Sequence, residues 1–161
     1  MRVPVSRRKW LVFPVVNFVR EFYGKLLLAA VAAERDWGVI LAYKGYFKHD
    51  FPTNTGVAVD MILKAGPRIS NFLEHGWRLC GIDEEGLIYQ DGDDYVHRRV
   101  DESVVRQMDY VFLWGQNQRN DITKHIAGID EKLVISGNPR FDLLRPELRE
   151  FYAPKATQIT G

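Results

Sequence analysis

The feature that most narrows the fold is a recurring change of period: short continuous apolar runs of strand length alternate with segments whose apolar residues return every three or four positions. Residues 10–16 form the first run, which ends at Asn17. Phe18, Phe22, Leu26 and Ala30, beside Val19, Tyr23, Leu27 and Val31, then trace one helix face up to Asp36, with Gly38 as a stop. Residues 39–43 are the next run. Thr55 is placed to cap a helix carrying Ala58, Met61, Ile62 and Ala65 and closed by Gly66-Pro67; a shorter helix over 69–75 stops at Gly76, and a strand follows over 77–82. Asp101 opens a helix reaching Met108, 110–114 reads as a strand, 116–126 as a helix stopped by Gly128, and 133–136 as the last strand. This alternation predicts an α/β three-layer sandwich, a mostly parallel sheet with helices on both faces, Rossmann-like in layout. Right-handed crossovers in such a sheet bring its functional loops to the strands' carboxyl ends. The turns beginning at Asn17, Lys44, Asp83, Gly115 and Gly137 are therefore expected to converge along one edge.

The 161 residues suffice for one domain with a full core, expected over 1–152, with 153–161 as a linker or tail. Lys and Arg number 22 against 21 Asp and Glu, a formal charge of +1, so there is no basic field to hold nucleic acid. Cys80, the single cysteine, cannot form an internal disulfide; a reducing, cytoplasmic setting and a role as a small buried hydrophobe follow. The string Ser6-Arg7-Arg8-Lys9-Trp10-Leu11 approaches a twin-arginine export signal, with residues 29–33 imitating a cleavage site. Arg20, Glu21 and Lys25 interrupt the apolar stretch behind it, which favours a first buried strand over a leader; no run is long enough to span a bilayer. The cluster Arg2, Arg7, Arg8 and Lys9 leaves a peripheral contact with the inner membrane open.

Chemistry-bearing residues concentrate at the expected loops. Asp83, Glu84 and Glu85 crowd three carboxylates at the end of a buried strand, where mutual repulsion tunes a general base; the plainer alternative is a solvated acidic turn. Asp91 and Asp93 match an aspartate-x-aspartate pattern for a divalent cation, but two carboxylates in a glycine turn are common at surfaces, and no metal is expected. His49, His75, His97 and His125 lack metal-type spacing, and His49-Asp50 is a weak acid–base pair. Neither GxGxxG nor GxxxxGK[ST] is present. After the first strand stands Asn17-Phe18-Val19-Arg20-Glu21 instead, with Asn17 as a helix cap and Arg20 able to grip an anion; an Arg-Glu pair on a helix surface is the alternative.

Three strings, Cys80-Gly81-Ile82-Asp83-Glu84-Glu85-Gly86-Leu87, Val111-Phe112-Leu113-Trp114-Gly115-Gln116 and Ser136-Gly137-Asn138-Pro139-Arg140-Phe141-Asp142-Leu143-Leu144, together with the Arg20-Glu21 helix start, resemble the bacterial surface carbohydrate biosynthesis proteins of capsule and O-antigen type. The likeness runs from Trp10 to about Tyr152; its last string is shared more loosely with glycerophosphate-transferring wall polymer enzymes. The resemblance implies the amino-terminal half of a two-Rossmann-domain (GT-B type) glycosyltransferase. That half presents the carbohydrate acceptor, while the nucleotide-sugar donor binds a second domain beyond this chain; no other cofactor is implied, and this half alone would be inactive. Glu84, with Asp83 and Glu85 beside it, would act on an acceptor hydroxyl. Arg20 and Arg140 would engage anionic groups of the acceptor or the donor's phosphate, Glu21 and Asn138 would contact substrate beside them, and Trp114 and Gln116 would form a sugar platform. The rival reading is a flavodoxin-like module that binds a sugar or partner without chemistry.

Overall fold

A computed structural model describes residues 9–48, 56–61 and 63–151. Six strands, β1 (Trp10–Val15), β2 (Gly38–Tyr43), β3 (Gly56–Asp60), β4 (Arg78–Ile82), β5 (Tyr110–Leu113) and β6 (Leu133–Ile135), form one sheet in the order β2-β1-β3-β4-β5-β6. Every pairing is parallel. Helix α1 (Phe18–Ala33) follows β1, α2 (Pro67–Glu74) follows β3, α3 (Gly92–Arg99) and α4 (Glu102–Gln107) follow β4, α5 (Gln116–His125) follows β5 and α6 (Pro139–Asp142) follows β6.

Side chains alternate across the sheet. Val12, Ala58, Leu79 and Val111 join Phe72 of α2, Tyr95 of α3, Val105 of α4 and Ile122 of α5 in one core. Their strand neighbours Phe13, Val59, Cys80 and Phe112 face the other way, toward Leu28 and Ala29 of α1. Both faces are thus apolar, which is why the strands read as unbroken hydrophobic runs. Burial also pushes the Cys80 thiol pKa up, consistent with an inert packing role.

The chain leaves β1 toward β2 on the α1 face, and then steps from β3 to β6 along the opposite face. The switch of direction falls between β1 and β3, where open α/β sheets form a crevice at the carboxyl ends.

Three local expectations are corrected. The helix expected after Thr55 is replaced by β3; Thr55 and Ile62 themselves lie outside the described residues, as do His49, Asp50, residues 1–8 and the tail from 152 on. Val57 and Val59 are β-branched and turn to the face opposite Ala58, so a period of two wins over the chance helical spacing of Ala58, Met61 and Ala65. Pro67, read as a terminator, opens α2, where its missing N–H has no intrahelical partner to lose. Residues 91–94, read as a glycine turn, instead open helix α3, where no element was expected: the Asp91 side chain accepts from Asp94 N at 2.8 Å and caps it.

Gly56 makes the close approach between β3 and its neighbours possible. A Cβ there would strike the indole of buried Trp77 and lie 2.7 Å from the Trp10 carbonyl oxygen. Gly56→Ala is therefore expected to destabilise the fold by about 1–3 kcal/mol, read as a lower urea midpoint at unchanged m value. An unchanged midpoint would show that Trp77 can move aside.

Candidate functional site

The turns after β1, β4, β5 and β6 meet at the carboxyl edge, and a dense polar network fills the space between them. It begins at α1. Asn17 caps the helix, its side chain accepting from Arg20 N at 3.3 Å. Glu21, one turn in and only 1% exposed, folds back so that one carboxylate oxygen accepts from Val16 N and the other from Asn17 N, both at 2.9 Å. Lys25, equally buried, donates to Glu21 at 2.9 Å and to the Pro14 carbonyl at 2.7 Å. Burial alone would raise the Glu21 pKa. The hydrogen bond and charge of Lys25, with the two backbone N–H groups, outweigh it and hold the carboxyl below its usual value. In nucleotide-binding sheets the N–H groups of the first strand-to-helix turn cradle a phosphate. Here a built-in carboxylate, neutralised by a built-in ammonium, occupies those donors.

The acidic string divides into three different environments. Asp83 is buried and fully engaged: its oxygens accept from Arg99 Nη2 at 2.7 Å, Tyr95 Oη at 2.8 Å and its own turn's Glu85 N at 3.1 Å. Gln118 donates to Tyr95 Oη at 2.6 Å and accepts from Trp114 N at 2.8 Å, while the Trp114 indole N–H donates to the Asp83 carbonyl. This closed ring ties the β4 turn to the β5 turn. Burial, then the Asp83 charge, pushes the Tyr95 hydroxyl pKa far up, so it stays a donor. Glu85 is exposed, held between Arg20 Nη1 on one oxygen and Arg99 Nη1 at 2.6 Å on the other.

Glu84 differs from both neighbours. It is 4% exposed, with Asn138 Nδ2 donating to it at 3.2 Å. Asn138 caps α6, its Oδ1 accepting from Arg140 N at 3.0 Å, which fixes the amide so that its NH2 faces the carboxyl. Gly137, at φ +73°, supplies the left-handed turn that delivers Asn138 there. Burial raises the Glu84 pKa; the charge of Lys25 and the Asn138 hydrogen bond offset this only in part. Gly24 lets α6 approach α1, since a Cβ there would lie 3.1 Å from Arg140 N.

A groove of about 330 Å³ is lined by Val19, Arg20, Tyr23, Arg140, Phe141 and Leu144; Glu84 lies beneath its wall rather than in its lining, near enough to Arg140 for their charges to interact. The Arg140 guanidinium lies 5.7 Å from the Phe141 ring centre, and Phe141 meets Trp114 edge-on at 5.3 Å. Trp114 also borders a second cavity of about 580 Å³ that contains Gln116, whose amide donates to Asn120 at 2.7 Å.

The structure therefore brings Arg20, Glu21, Asp83, Glu84, Glu85, Trp114, Asn138 and Arg140 to one edge and leaves Gln116 on the far side of Trp114. Lys25, Tyr95, Arg99 and Gln118 escaped sequence reading. For Lys25 a signal existed: a Glu and a Lys four apart on an otherwise apolar helical face point to a buried pair. Asp91 and Asp93 serve α3, Asp91 as its cap and Asp93 paired with Lys124 at 2.6 Å and His125 at 2.9 Å.

No protein-family model matches the chain, and comparison with curated proteins and with solved structures likewise finds no match. Among the described residues no helix is long and apolar enough to cross a membrane.

Proposed function

We propose that this chain is the acceptor-side half of a glycosyltransferase of the two-Rossmann-domain type that builds bacterial surface polysaccharide at the cytoplasmic side of the inner membrane. Glu84 is the general base that takes the proton from the attacking acceptor hydroxyl. The observation that carries the reading is its environment: a buried carboxyl of raised pKa, oriented by Asn138 and within electrostatic reach of Arg140, which with Arg20 walls a groove. Raised basicity suits a group that must accept a proton, and the two guanidiniums suit anionic groups on substrate.

The Glu21–Lys25 plug supports the acceptor side in particular. A nucleotide-sugar diphosphate seated on the β1–α1 turn would have to displace a carboxylate held by two N–H groups and an ammonium. The donor is accordingly assigned to a second domain. The exposed Val19, Phe141 and Leu144 suit contact with that domain or with the membrane surface.

Calorimetric titration of the chain checks the assignment. Acceptor oligosaccharides are expected to bind in the millimolar to micromolar range, and nucleotide-sugars no tighter than about 1 mM. Micromolar nucleotide-sugar binding would move the chain to the donor side and overturn the reading. The rival binding module draws support from Asp83 and Glu85, both taken up by arginines; turnover by the assembled enzyme separates the two.

A further inference from the structure

A further cleft of ligand size lies away from Glu84. It encloses about 790 Å³ between the turn after β2, with Tyr43, Lys44, Gly45 and Phe47, and the start of α2, with Lys64 and Arg68. Because β2 and β3 flank β1 in the sheet, a cleft lined by the segments following both stands at the carboxyl end of β1, beside the switch of direction. Its volume falls in the range of small-ligand sites, roughly 300–1,000 Å³.

The lining has two chemical parts. Buried Phe47 and Ile69 make an apolar floor. Tyr43, 64% exposed, lays its ring over Gly45, where a Cβ would come within 3.2 Å of the ring. The ring is braced along one edge by the Gly45 main chain and otherwise largely exposed, which makes it a platform of the kind sugar C–H groups stack on. The rim is cationic. Lys44 and Lys64 have no ion-pair partner among the described residues, whereas Arg68 is held by Asp60, with Nη2 to Oδ1 at 2.8 Å; Glu74 is the one carboxylate on the wall.

A nucleotide fits this cleft poorly. Its phosphate would look first to the β1–α1 turn, where Glu21 already takes the N–H groups of Val16 and Asn17, and Pro67 removes an N–H from the start of α2. The cleft is nevertheless on the same edge as the base. Arg68 is near enough to Glu21 for their charges to interact, as Glu21 and Lys25 are to Glu84.

We propose that this cleft is a distal acceptor subsite for a saccharide bearing a carboxylate, with Tyr43 stacking on a sugar ring and Lys44 and Lys64 meeting the acid group. The identification of the ligand as a saccharide rests on the glycosyltransferase reading above.

Backbone amide shifts in NMR titrations test it, with α-1,4-trigalacturonate and 3′-sialyllactose as acidic probes, maltotriose as the neutral control and UMP as the nucleotide control. At least one acidic probe is expected to move the amides of residues 43–47 and 64–71. Its affinity should fall roughly tenfold in Tyr43→Ala, and its advantage over maltotriose should vanish in Lys44→Ala/Lys64→Ala. Tyr43 and Lys64 are exposed, so these variants should fold, which amide dispersion verifies. Failure of both acidic probes to shift those amides, equal response to maltotriose, or tighter binding of UMP there would each overturn the proposal. Glu84→Gln should leave this binding unchanged. Binding without transfer by the assembled enzyme would therefore sink only the catalytic reading, and Glu84-dependent transfer without binding would sink only the subsite.

Discussion

Glu21→Leu is expected to lower the unfolding free energy by about 3–5 kcal/mol, the largest stability loss of any single side chain at the carboxyl edge. The substitution leaves the Lys25 ammonium buried with the Pro14 carbonyl as its remaining partner, and it orphans the N–H groups of Val16 and Asn17. Lys25→Met is milder, about 1–3 kcal/mol, since the carboxylate keeps both N–H donors. The double variant Glu21→Gln/Lys25→Met should recover most of the Glu21→Leu loss, because a neutral amide can accept from one N–H and neither charge of the pair is left unpaired in the interior. Urea midpoints of the four proteins measure this, and a Glu21→Leu midpoint equal to wild type would show that the pair adds nothing to the fold. The sign with pH follows from the same contacts. The folded carboxyl titrates below its unfolded value, so the stability it confers is present above the unfolded pKa and is lost as pH falls through the folded one. The double variant lacks that component of acid sensitivity.

The sheet was readable because parallel strands covered on both faces must be continuously apolar, and five of the six announced themselves in that way. Strand β3 hid because its five residues are flanked by Met61 and Ala65, whose spacing from Ala58 imitates a helix until the turn of Val57 and Val59 to the opposite face is known. Helix α3 hid for the opposite reason. It carries mainly charged residues and buries only Tyr95 and Val96, so no apolar period marks it.

The site was legible as a place and much less so as chemistry. Three successive carboxylates look alike in sequence, yet their side chains leave the β4 turn in different directions. Asp83 meets Arg99 and Tyr95, Glu85 meets Arg20 and Arg99, and Glu84 meets Asn138 in a buried setting. Partners contributed by α1, α3 and α6 are separated from the acidic string by 12 to 65 positions along the chain, and nothing local encodes them. Arg20 likewise has a different use from the one its position beside the helix start suggested: its first partner is Glu85, so any anion entering the groove competes with that carboxylate.

Glu84→Gln should separate function from stability. In the two-domain enzyme proposed above, loss of the general base is expected to cut kcat by about 10²–10⁴ with a small change in KM. The wild-type acid limb should lie above the usual carboxylate range, because burial raises the Glu84 pKa, and the limb should disappear in the variant. Stability should move the other way. A carboxyl whose folded pKa is raised contributes stability below its unfolded pKa, and that contribution is lost as pH rises through the folded value, so above that value the fold holds a buried charge at a net cost. The substituted amide carries no charge and still offers Asn138 an acceptor, so the variant is expected to unfold at an equal or higher urea concentration than wild type at pH 7. Glu21 and Glu84 lie close enough to interact, yet their environments drive their pKa values apart, one down beside an ammonium and two N–H groups and the other up by burial that its partners offset only in part. Such divergence is how a fold sets aside one carboxyl for structure and another for proton transfer. Turnover by Glu84→Gln within tenfold of wild type, or a marked loss of stability at pH 7, would place Glu84 among the structural carboxylates instead.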